Sequence, residues 1–200
     1  MLSKSLSTLK SLSGLIAGLW PSPGQAPSSS PSQPVSKEAR VAEPAWMTEA
    51  RKHVGLKEIP GARHNTVILG WLARLKAWWR DDETPWCGTF VAHCMREAGL
   101  KPPQHWYRAK AWADWGSALK STSAAPGAVL VFARQGGGHV GFYVGEDATY
   151  FHVLGGNQSN SVNVMKLAKA RCIAIRWPIG VPVTGKPVRM AGGVVSTNEA

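Results

Sequence analysis

Three of the 200 residues have the types and the order that a thiol hydrolase needs: Cys87, His139 and Asn157. Cys87 falls in the run Asp81, Asp82, Glu83, Thr84, Pro85, Trp86, Cys87, Gly88, which reads as a polar loop entering a helix. Thr84 suits the N-cap and Pro85 the first helical position, where a missing N–H costs nothing, so Cys87 is expected at the third helical position. Unpaired N–H groups and the positive end of the helix dipole stabilise a thiolate there, so a lowered thiol pKa is expected. His139 opens a strand directly after Gly136, Gly137 and Gly138, as a candidate general base. Alternation places His139, Gly141 and Tyr143 on one face, and Gly141 leaves room for another element or a substrate to approach. Asn157 comes one strand later, at a hairpin return, where its carboxamide can orient an imidazole. The plain counterparts are a core cysteine, a surface histidine and a turn asparagine in the left-handed conformation after two glycines.

The elements that must hold these side chains follow from periodicity. From Cys87 the apolar positions Phe90, Val91, Cys94 and Ala98 recur at helical spacing, and Gly99 supplies the stop. Upstream, Trp46, Met47, Ala50 and Val54 form one helical stripe. A second helix, capped by Asn65, is expected to run to about Trp79 through Val67, Ile68, Trp71, Leu72, Leu75 and Trp78. A short helix carries Ala109, Trp112, Ala113 and Trp115, and residues 117–125 read as a polar loop. After Pro126 and Gly127 the texture turns to strands: 128–133, 139–144, 150–154, 162–164 and 172–177, with a glycine-rich turn at 134–138. Helices first and a meander of about five antiparallel strands second give an α+β fold. Residues 1–44 read as an N-terminal segment, a weak match to a signal peptide, followed by a disordered Pro/Ser-rich linker. Residues 45–178 read as the globular domain that carries the three candidate residues, and 179–200 as a poorly ordered tail.

The strings Glu83-Thr84-Pro85-Trp86-Cys87, Gly137-Gly138-His139-Val140-Gly141-Phe142 and Leu154-Gly155-Gly156-Asn157-Gln158 resemble the papain-like CHAP and NlpC-type amidohydrolase superfamily, many of whose members are cell-wall hydrolases of bacteria and phages. The likeness extends over roughly residues 46–178. It implies a papain-like fold with helices packed on an antiparallel sheet, Cys87 as nucleophile, His139 as general base and Asn157 as the orienting residue. Related enzymes place Glu, Asp, His or Gln at that third step, and Gln158 is adjacent. It also implies a thioester acyl-enzyme, an oxyanion held by backbone N–H groups at the helix start, and peptidoglycan or its stem peptides as substrate, cut as an amidase or an endopeptidase. A phage lysin made in the cytoplasm and an exported bacterial protein both fit.

Composition agrees with that class. The net charge of +11 favours anionic surfaces such as wall polymers. Basic residues are scattered and no nucleic-acid motif occurs, so no nucleic acid is expected as partner. The apolar stretch before Trp20 is too short and too interrupted for a membrane span. Oligomeric state is not readable. Three cysteines without CxxC spacing argue against disulfides and a structural zinc site, and neither a cofactor nor a metal is expected. Some CHAP domains carry calcium in the loop before the cysteine, but Asp81, Asp82 and Glu83 lack the alternating spacing of a calcium loop and read as a solvated acidic turn. His93, His152 and Cys172 read as structural. The ten tryptophans are core residues by default, with some available to line a groove for a sugar-containing ligand. The competing functions are a non-catalytic, basic, tryptophan-rich wall-binding module and a cysteine peptidase acting on protein.

Overall fold

The computed structural model describes residues 42–196, 198 and 199. The expected N-terminal segment and nearly all of the linker lie outside the described residues. Three helices come first: α1 (Ala45–Lys52), α2 (Thr66–Arg74) and α3 (Cys87–Glu97). After a 3-10 turn at Ala109–Asp114, six strands follow: β1 (Ser117–Ala118), β2 (Val129–Arg134), β3 (Gly137–Glu146), β4 (Tyr150–Gly155), β5 (Asn163–Ala168) and β6 (Cys172–Trp177). The fold is α+β, with helices preceding one antiparallel sheet.

Helix ends are set by local chemistry. Asn65 caps α2, its side chain accepting the Val67 N–H at 2.9 Å. This helix stops at Arg74, short of the expected Trp79. Lys76 turns to φ +57°, and the amides of Lys76 and Ala77 bond back to the carbonyls of Ala73 and Leu72 at 3.1 and 2.9 Å. That is a Schellman closure with lysine at the left-handed position usually taken by glycine, which is why no glycine announced it. α3 closes in the same way on Gly99 at φ +74°, as its sequence predicts. Its start differs from expectation: Trp86 is the N-cap, without a side-chain capping bond, and Cys87 is the first helical residue, not the third.

The sheet order is β1-β6-β2-β3-β4-β5. β2 to β5 form the expected meander, but β6 returns to pair with β2, and β1 adds a sixth strand beyond it. A two-residue strand is too short to show alternation, which is why 117–125 read as loop. The glycine-rich turn shrinks to Gln135 and Gly136, because Arg134 already pairs with Gly137. Gly141 makes room for a neighbouring strand, not for substrate: a Cβ there would stand 2.6 Å from a Val153 methyl.

Packing gathers on α3, where every residue from Cys87 to Met95 is buried. Trp46, Trp71, Trp86, Trp112 and Trp177 are core residues, and each fully buried indole contributes roughly 4–6 kcal/mol of gross burial energy at ~25 cal/mol per Å². The acidic run is a solvated turn only in part: Glu83 is exposed and Asp81 half-buried, but the middle residue is not. Asp82 is fully buried and accepts the N–H groups of Ile59 (2.9 Å) and Asn65 (2.7 Å) and His64 Nδ1 (2.9 Å). Burial opposes ionisation of Asp82, but those donors outweigh it and hold its carboxyl below the usual range. Glu83 accepts the Gly61 N–H, and Asp81 that of Thr84. Asp82 and Glu83 therefore pin the 59–65 loop to the entry of α3, while Asp81 closes the local turn onto Thr84.

Past Pro178 the chain runs beside the sheet. Val188 accepts the Glu146 N–H at 2.8 Å, Val194 that of Lys166 at 2.8 Å, and Asn198 that of Ser159 at 2.9 Å. Among the described residues no helix is long and apolar enough to cross a membrane.

Candidate active site

The three free cysteines differ in setting. Cys94 lies deep in the core, where burial pushes its thiol well up; Cys172 is half-buried and pushed up to about 11, again by burial. Cys87 stands where the first amides of α3 have no intrahelical acceptor. The N–H groups of Val140, Gly88 and Cys87 itself favour its thiolate, yet burial outweighs them and the thiol lies above its ordinary value. Magnitudes explain why the expected lowering fails. A helix terminus supplies about 0.3–1 kcal/mol, up to ~2, whereas taking a charge out of water costs several.

His139 sits on β3 next to Val140, fully buried. Its Nε2 is 3.2 Å from Gln158 Oε1, while its Nδ1 is buried with no hydrogen-bond partner among the described residues. The Gln158 amide fixes the tautomer. Its Nε2 donates to the carbonyls of Val153 (3.2 Å) and Asn163 (2.8 Å) and to Asn163 Oδ1 (2.9 Å). The opposite end, Oε1, can only accept, so His139 Nε2 carries the proton and Nδ1 presents its lone pair. Burial holds this histidine down to about 4, with Arg134 and Arg171 lowering it further and Glu199 and the Gln158 bond raising it. The resting imidazole is neutral, with a basic nitrogen and no competing donor.

Asn157 occupies the left-handed conformation, φ +57°, and is buried. It turns the chain after Gly155 and Gly156 and delivers the next residue, Gln158, to the imidazole. In the sequence Gln158 is only the neighbour of Asn157, because nothing local says which of two adjacent amides faces a strand across the sheet. The space is tight. A Cβ on Gly155 would stand 2.8 Å from Gln158 Oε1 and 3.0 Å from His139 Nε2, and one on Gly156 would strike Phe90 and Trp86. Those glycines let the 155–158 loop close on α3 and β3.

The tail reaches this region. Glu199 is buried and pairs with Arg171, with Oε1 at 2.9 Å from Nη1. Beside the start of α3 lies an aromatic cluster: Trp78 meets Trp79 and Tyr107 edge-on, Trp79 lies against Trp106, and Arg108 covers Tyr107. Gly88 packs against the backbone of Trp106, so this cluster adjoins Cys87. Trp78 is 73% exposed, against the core role expected for it by default. A cavity of about 710 Å³ lies elsewhere, between β6 and the tail, and is lined by none of Cys87, His139 and Gln158.

The family model of the CHAP domain matches residues 79–157, from the aromatic cluster through α3 and β2–β4 to Asn157. No curated protein matches the chain.

Proposed function

We propose, from the match of residues 79–157 to the CHAP domain, that the chain hydrolyses an amide bond of peptidoglycan by a Cys87–His139–Gln158 thiol mechanism. CHAP domains are in general hydrolases of peptidoglycan, acting on the cell wall. The observation that carries the finer reading is the imidazole of His139, with Nε2–H committed to Gln158, Nδ1 without a partner among the described residues, and the next residue, Val140, donating its N–H toward the Cys87 sulfur.

In this mechanism thiol and imidazole are both neutral at rest. His139 Nδ1 takes the Cys87 proton as the sulfur attacks the amide carbonyl, and Gln158 Oε1 steadies the imidazolium that forms. The tetrahedral oxyanion is met by amides at the start of α3, Cys87 among them, which have no intrahelical acceptor. His139 passes its proton to the leaving amine, giving a thioester and a free amino group. A water then loses a proton to Nδ1 and attacks the thioester, and the proton returns to sulfur, releasing a carboxylic acid. Gln158 takes the orienting role first expected of Asn157. Lys110 and Arg134, beside Gly138 and Gly137 at the start of β3, and Arg108 over Tyr107 give this side of the domain positive charge suited to an anionic polymer, and Trp78 offers an exposed face for a sugar ring.

The test is incubation of purified chain, Cys87→Ala and Trp78→Ala with isolated peptidoglycan, with soluble fragments read by mass spectrometry. Wild-type chain is expected to release fragments bearing new amino groups, and their position identifies the sugar–peptide or peptide–peptide bond. Cys87→Ala should release none, and Trp78→Ala should show a raised KM with kcat little changed. Equal release by wild type and Cys87→Ala, or release by neither, rejects the mechanism for this substrate.

A further inference from the structure

Away from Cys87, at the other end of α3, three side chains from two helices converge on one point. Glu49 lies in α1, His53 is the C-cap of α1 and His93 lies in α3. His53 Nε2 is 3.0 Å from Glu49 Oε1, His93 Nε2 is 3.3 Å from His53 Nε2, and His93 Nε2 is 3.4 Å from Glu49 Oε1. Three potential ligand atoms thus form a near-equilateral triangle. We propose that this triangle is a binding site for a divalent transition-metal ion, of which Zn²⁺ fits best, clamping α1 to the helix that carries Cys87.

The triangle has the dimensions of a coordination face. At Zn–N and Zn–O distances of about 2.0–2.1 Å, tetrahedral geometry separates ligand atoms by about 3.3–3.4 Å. A Zn²⁺ ion touching all three atoms would stand roughly 0.8 Å out of their plane, leaving its fourth position for water. A hydrogen-bonded chain accounts for the arrangement less well, because two ring nitrogens and one carboxylate oxygen crowd together. If both Nε2 atoms carry protons, two N–H groups face each other at 3.3 Å; if one does not, its lone pair lies close to the Glu49 carboxylate. A cation at the centre resolves both conflicts.

The surroundings match a built site. Trp71 stacks on the His93 ring at 4.9 Å and meets the His53 ring edge-on at 4.8 Å, so one buried indole orients both imidazoles. Glu97 Oε1 lies 3.8 Å from His93 Nδ1, a carboxylate on the far side of that ring, one small side-chain shift from the hydrogen bond that orients many zinc histidines. Lys52 bonds the outer oxygen of Glu49 at 2.7 Å and leaves the inner one free to bind. His93 is almost fully buried, while Glu49 and His53 are half-buried and give access from solvent. Two imidazoles and one carboxylate suit Zn²⁺, whereas Ca²⁺ and Mg²⁺ prefer oxygen sets. The segment just beyond His53 bonds the loop that carries Gln158, Gly55 to Val162 at 2.8 Å and Glu58 to Asn160 at 3.0 Å. An ion here therefore ties together the elements bearing Cys87 and Gln158.

The test uses the full chain, stripped of metal with a chelator and then titrated with Zn²⁺ by calorimetry and with Co²⁺ by absorption. One equivalent of Zn²⁺ should bind at micromolar concentration or tighter, with a rise in Tm of several degrees. Co²⁺ should develop visible tetrahedral bands without a sulfur-to-metal charge-transfer band. His53→Gln and Glu49→Gln, both at half-buried positions that tolerate change, should each weaken binding at least tenfold; His93→Gln adds the buried ligand where it folds. Absence of stoichiometric binding, unchanged affinity in His53→Gln, or a thiolate charge-transfer band would overturn the proposal.

Discussion

Replacing Gln158 by methionine keeps volume and reach while removing one acceptor from His139 and two N–H donors from the loop. The bond to His139 matters most when the imidazole is charged, so its loss is felt in the transition state more than in the ground state. A hydrogen bond to a charged partner contributes about 1.5–3 kcal/mol, and each 1.36 kcal/mol is tenfold in rate, so kcat/KM should fall roughly 10- to 150-fold. Because this bond raises the His139 pKa, the acidic limb of the pH–rate profile should move to lower pH in the variant. Asn157→Gly is the matched control. Glycine accepts φ +57° without strain, so the turn is kept while the side chain goes. The assay is fragment release from isolated peptidoglycan as a function of pH, with denaturant unfolding to show that both variants remain folded. Asn157→Gly is expected to stay within a few-fold of wild type. Should it lose activity as heavily as predicted for Gln158→Met, while Gln158→Met stays near wild type, the assignment of Gln158 is refuted and Asn157 is restored.

Three further outcomes follow from the same geometry. Gly155→Ala places a methyl 2.8 Å from Gln158 Oε1 and 3.0 Å from His139 Nε2, so kcat/KM should drop at least tenfold, with a stability loss of about 1–3 kcal/mol by thermal unfolding. Asp82→Ala leaves the N–H groups of Ile59 and Asn65 without their acceptor and should cost about 1–3 kcal/mol in urea unfolding, at unchanged pH. Folding holds His139 down from 6.5 to about 4, so between those values the unfolded chain binds a proton that the folded one does not. The stabilising contribution is complete above pH 6.5 and is lost as pH falls toward 4. Unfolding free energy should therefore fall by on the order of 3 kcal/mol more in wild type than in His139→Gln between pH 7 and 4.

Much of the fold was legible because it rests on local rules. The Asn65 cap, the Gly99 stop, the apolar stripe of α3 and the strand periods of β2, β3, β4 and β6 are written in neighbouring residues. Where local rules had rivals, packing decided. Lys76 took a glycine's conformation because the chain must turn to bury Ala77 and present Trp78 and Trp79 to the aromatic cluster. β6 crossed back to β2 because pairing across the sheet, which no local pattern encodes, fixes strand order.

The chemistry divides along the same line. Sequence alone determined that a cysteine at a helix start precedes a strand-borne histidine and then a loop with two adjacent amides, because residue type, order and secondary-structure period are properties of the chain. Tertiary structure decided the charge state of Cys87 and His139, since burial is a collective quantity that outweighs the helix terminus. It also decided that Gln158 reaches the imidazole, and that His53, unremarked in sequence, meets Glu49 and His93. Each of these depends on distances between residues far apart along the chain, and only the packed molecule sets those distances.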